Sequence, residues 1–131
     1  MTVDGLSRAV LPVGRVVLAS LFVLGGLNKL MNYGATQVQM SEVGLWPALL
    51  PLVIALELGG GLVVALGRWG AVFAALALAA FTLVTNIFFH DFWAMSGEIA
   101  ALELSLFFKN VSIAGGLLFA AAATYQLRRA A

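Results

Sequence analysis

The sequence predicts an all-α polytopic membrane protein, a four-transmembrane-helix bundle with a short interfacial helix in its first long loop. Three observations predict it. Of the 131 residues 63% are apolar and only 10% charged, and the mean hydropathy is +1.05, far from the balance of a soluble domain. The apolar residues gather into four stretches of about 20 residues, the length that crosses a hydrocarbon layer as a helix. Those four spans and their connections use nearly all of the chain, so residues 1–131 form a single membrane domain.

The first stretch covers residues 10–30, with Arg15 inside it, Asn28 and Lys29 closing it, and Pro12 where a first helical turn tolerates proline. A signal peptide is the competing reading, but no small-residue cleavage site follows, so the span is expected to be retained. The connection from 32 to 46 holds Thr36 and Gln39 at capping-box spacing, with Met40 and Val43 expected to face lipid from a short surface helix. The second and third spans cover 47–66 and 69–89. Only Gly67 and Arg68 separate them, which demands a tight antiparallel hairpin. The fourth covers 102–125, after a connection from 90 to 101.

Charge gives the orientation. Arg8, Arg68, Arg128 and Arg129 fall on the side of the termini, whereas the long connections carry Glu42, Asp91 and Glu98. Both termini are therefore expected in the cytoplasm, with the long loops outside the inner (plasma) membrane. Trp46 and Trp93 fall at the outer interface and Trp69 at the inner one, as aromatic anchors do. A net charge of +1 supplies no field for nucleic acid. The absence of cysteine removes thiolate nucleophiles, thiolate-bound metals and iron–sulfur clusters. Metal catalysis is not expected either, since His90 is the sole histidine and its neighbour Asp91 completes no ligand set.

Ionisable residues within a span cost a few kcal/mol and need a partner, a water cavity or a function. Counting residues from the cytoplasmic side puts Arg15 and Glu57 at similar depth, as partners in an ion pair that fixes register or carries a proton. Arg15, Phe22, Gly26 and Lys29 form one stripe of the first helix; Thr82, Asn86 and His90 one of the third; Ser105, Lys109, Ser112 and Gly116 one of the fourth. Each stripe is expected to face inward. The glycines at 25–26, 59–61 and 115–116 suit close backbone approach. Lys29, Asn86, His90, Lys109 and Asn110 then share the outer half of the bilayer and line one pocket, positive on balance, with Asp91 and Glu103 at its rim. Donors of that kind favour a carbonyl or a developing anion. Simpler roles stand beside these: Lys29 and Lys109 as snorkelling lysines, His90 as a satisfied boundary residue, Thr82 and Ser112 bonded to their own helices.

The segments GRVVLASLFVLGGLNKL at 14–30, LELGGGLVVALGRWGA at 56–71, TNIFFHDFW at 85–93 and FFKNVSIAGGLL at 107–118 resemble the DoxX family of small membrane proteins. The resemblance implies four helices, an inner-membrane location and an association with membrane redox processes. Some relatives resemble a quinone-reducing subunit of thiosulfate oxidation, and others are linked to assemblies that handle oxidative and thiol stress. The arginine, glutamate, histidine and lysine of the family pattern fall here on Arg15, Glu57, His90 and Lys109. The lack of cysteine argues against a thiol relay.

The functional expectation is an integral-membrane component of a redox system that binds a quinone-like or small anionic substrate near the outer face. His90, Lys109 and Glu57 are the expected reactive groups, with Arg15, Lys29, Asn86 and Asn110 binding the cofactor. Quinone is the expected cofactor; the partners are the lipid bilayer, subunits of a redox complex and further copies of the chain. Two alternatives stay open: a structural or assembly subunit of a membrane oxidoreductase, and a small proton-coupled solute transporter.

Overall fold

The computed structural model describes residues 2–131. Four of its helices are long and apolar enough to cross a membrane. The first, α1, runs Val3–Met31 and starts two turns before its apolar stretch, because Thr2 caps it (Gly5 N–H donates to Thr2 Oγ1, 3.2 Å) and Asp4 occupies the first turn. Pro12 consequently lies inside the helix, where it deprives one carbonyl of its usual donor. Lys29 occupies the last turn, and at Asn32 (φ −116°) the chain breaks before helix α2, Tyr33–Glu42.

Helix α2 corrects the reading of the first loop. Thr36 lies within it, donating to Asn32 O at 2.9 Å, so no Thr36–Gln39 capping box forms. Met40, expected to face lipid, is 5% exposed and packs with Leu50 and Ile54; Val38 faces outward instead. Helix α2 thus folds against the bundle. Gly44, at φ 81°, provides the left-handed residue just past its C-cap.

The second span, α3, covers Pro47–Leu66. It opens with a 3₁₀ turn, Pro47–Leu49, and continues as α-helix except at Leu56–Gly60, one π turn. It ends at Gly67 (φ 62°), and Gly70 (φ 83°) starts α4, Ala71–Phe89, completing the tight hairpin. A 3₁₀ turn at Phe92–Ala94 leads to α5, Gly97–Ala130, which extends beyond the apolar stretch at both ends. Trp46 and Trp93 are exposed on the side of the long loops; Trp69 is exposed on the side of the termini, with the Arg128 guanidinium 5.2 Å from its ring.

Small residues set the packing. Ala19, Ala75, Ala79, Ala114 and Ala121 surround Phe22, Val64, Leu78 and Leu117 in the core. A Cβ placed on Gly61 would come within 2.9 Å of Val23 Cγ2, and one on Gly26 within 2.8 Å of Leu58 Cγ, so α1 and α3 approach as closely as glycine permits. Contacts of Gly26 with Glu57 and Leu58, and of Gly61 with Ala19 and Phe22, fix the register of these two helices.

Candidate functional site

Glu57 stands in the π turn of α3 and is 6% exposed. Single π turns inside α-helices are frequent at functional sites, since they leave backbone and side chains off the regular pattern. Its partner is Lys29, not Arg15. Lys29 Nζ donates to Glu57 Oε1 at 3.1 Å and lies 2.9 Å from Oε2, although no donor is aligned on that second oxygen. Glu57 therefore retains one buried acceptor without a hydrogen bond among the described residues.

Arg15 lies elsewhere. Its guanidinium occupies the space where a side chain at Gly67 would begin, at the hairpin on the side of the termini. Glu57 is level with Gly25 and Gly26, ten residues further along α1 and so about 15 Å away. Counting depth from Val10 placed Arg15 too deep, because α1 runs past the level of the hairpin. Beside the C-terminus of α3 a guanidinium meets the negative end of the helix dipole. Its Nε has no hydrogen-bond partner among the described residues.

At the other end, His90 caps α4 and its Nδ1 lies 2.5 Å from Glu103 Oε2 on α5. With the proton on Nδ1 held by a carboxylate, Nε2 is the position left for a ligand. Glu103 was expected only at the rim. The available signal was an acid in the fourth stretch at the depth of His90, but no sequence spacing relates residues on two different helices.

Asn86, 1% exposed, joins α4 to α5: its side-chain amide donates to Phe107 O at 3.0 Å and its Oδ1 accepts from Asn110 Nδ2 at 3.1 Å. It acts as a clamp behind the site. Lys109 is exposed on the outside of α5 and forms no ion pair or hydrogen bond among the described residues. The stripe Ser105, Lys109, Ser112 faces outward, opposite to expectation. The inward face of α5 belongs to Asn110, Ala114, Leu117, Ala121 and Thr124, and consecutive helical positions differ by about 100°, enough to separate Lys109 from Asn110. Thr82 and Ser112 bond to Leu78 O and Phe108 O within their own helices, as the simpler reading held.

Lys29, Glu57, His90 and Asn110 line one cavity of about 300 Å³. Thr36, Gln39 and Met40 of α2 cover it, and Leu50, Val53, Phe81 and Phe89 supply apolar walls. Gly60 packs on Leu78, which sets Glu57 near the level of Phe81. His90 lies nine residues further along α4, about 13 Å away. The cavity thus has an ionic pair near each end. Lys29 and the His90 ring each face a carboxylate and Lys109 is not among the lining residues, so the site lacks the positive balance expected from two lysines. Among the described residues no three His, Asp or Glu side chains converge into a metal-ligand set.

Comparison with known proteins gives a consistent family signal. The DoxX family model matches residues 10–91, from the first span through His90 and Asp91. The chain is 38% identical over 109 residues to inner membrane protein YqjF of Escherichia coli (strain K12), covering 83% of this chain and 79% of that protein. It is 31% identical over 120 residues to inner membrane protein YphA of the same organism, covering 89% and 85%. No solved structure matches.

Proposed function

This chain belongs to the DoxX family, and on that premise we propose that it is an inner-membrane component of a redox system that binds a quinone-like head group between α2, α3 and α4. Its termini lie in the cytoplasm and its long loops outside, following the basic residues at the helix ends. The observation that carries the reading is one partly apolar cavity flanked by the Lys29–Glu57 ion pair and the His90–Glu103 hydrogen bond. A flat apolar ring with carbonyl oxygens suits such a site, since apolar walls bury the ring and a few placed polar groups orient it.

The donor set favours this neutral ligand over a free anion. Glu57 and Glu103 repel an anion from both ends, whereas Lys29 offers a donor to a carbonyl oxygen and His90 Nε2 an acceptor to a ligand hydroxyl. Bound quinone would carry the electrons; the chain binds, orients and handles protons. Glu103 fixes the His90 ring, so that Nε2 can accept a proton from a ligand hydroxyl. Asn110, held by Asn86, shapes the wall.

The test is mass spectrometry of organic extracts from the protein purified in native-lipid particles, beside a folded His90→Ala variant. Quinone enriched over bulk lipid in the parent and lost in the variant supports the reading. Enrichment in neither overturns it and leaves the assembly-subunit alternative.

A further inference from the structure

A lysine in a membrane span that faces away from its own bundle either extends to the interface or meets an anion from outside the chain. Lys109 is such a residue: exposed, without an internal partner, and about one turn below the end of α4, given that Asn86 is tied to Phe107 and Asn110. Side chains on a helix lean toward its N-terminus. The N-terminus of α5 lies on the loop side, so Lys109 reaches toward that surface, across Ser105 one turn above it. Ser105 is also exposed and has no partner among the described residues.

The surroundings suit a lipid. Adjacent to Lys109 in sequence, Phe107 and Phe108 stack edge-to-face with centroids 5.6 Å apart, and Phe107 stacks at 5.9 Å on Trp93, which is exposed where an interfacial ring sits. Below Lys109, Ser112 has turned its hydroxyl back to Phe108 O, and a Cβ at Gly115 would meet nothing within 4 Å. Both residues are exposed on α5.

We propose that Lys109 and Ser105 hold the phosphate of an anionic phospholipid in the loop-side leaflet, with an acyl chain lying over Ser112 and Gly115. Charge complementarity selects the occupant, because an ammonium and a hydroxyl one helical turn apart offer donors to phosphate oxygens.

Native mass spectrometry from micelles containing equal amounts of phosphatidylglycerol and phosphatidylcholine tests it. The parent should retain phosphatidylglycerol at least tenfold over phosphatidylcholine. Lys109→Met should bring that ratio near one, Ser105→Ala should lower it several-fold, and Lys109→Arg should keep it. Arg68→Gln, at the opposite end of the bundle, should also leave it unchanged. If Lys109→Met fails to fold, Ser105→Ala and Lys109→Arg decide the matter. Equal retention of the two lipids by the parent overturns the proposal, as does an undiminished ratio in folded Lys109→Met or in Ser105→Ala, or an equal loss in Arg68→Gln.

Discussion

The two ends of the bundle are built by different physics. Toward the termini, alanines and glycines bring helices into contact around Val64, Ala75, Leu117 and Ala121, and the α3–α4 connection is as short as two left-handed glycines allow. Toward the loops, the helices part around a cavity of about 300 Å³, covered by α2 and flanked by the Lys29–Glu57 ion pair and the His90–Glu103 hydrogen bond. Close packing needs only dispersion and shape, and it leaves no space for a ligand. A cavity forfeits those contacts, so its walls must be held by directed interactions. Polar residues on the loop side therefore serve twice, as scaffold and as candidate site.

That contrast is open to attack from both ends. The largest effect is expected from Lys29→Met, which leaves Glu57 buried beside no cation; loss of one member of a buried pair costs about 3–5 kcal/mol. Denaturant titration in detergent measures it, and adding Glu57→Leu should recover most of the loss. Gly67→Ala attacks the other end, placing a Cβ on the Arg15 guanidinium at a left-handed residue; about 2 kcal/mol is expected from backbone and contact together. Asn86→Ala strips the Phe107 carbonyl and Asn110 of a partner, for about 1–2 kcal/mol. Lys109→Met should change stability by less than about 0.5 kcal/mol. A Lys29→Met loss no greater than that of Lys109→Met would remove the scaffold role assigned to the ion pair on the loop side.

The span count, the tight hairpin and the inward course of Lys29, Glu57 and His90 were legible because apolar run length and intramembrane charge are properties of single segments. Pairing was not. Arg15 and Glu57 attract on paper, but which charges meet depends on the level at which α1 and α3 start, and Thr2 begins α1 two turns earlier than its apolar residues suggest. Lys109 failed for a rotational reason. The outward stripe of α5 carries its serines and lysine while the inward stripe carries mostly alanine and leucine, so polarity pointed to the wrong side. In a membrane both faces of a helix can be apolar, and the hydrophobic periodicity that orients a soluble helix fades.

The π turn at Leu56–Gly60 divides α3 into two segments that are out of phase. One extra residue in a turn sets all that follows back by about 100° relative to an uninterrupted helix. Leu50 and Ile54 before it meet Met40 of α2, while Gly61 beyond it meets Ala19 and Phe22 of α1. Deleting Gly59, which is exposed and where an added Cβ would meet nothing within 4 Å, would restore an ordinary helix and rotate Glu57 relative to the hairpin. The position of the acid is thus held by a counting device: one residue more than the helix requires sets the phase between the segment that packs with Met40 and the segment that closes on α1 at Gly61.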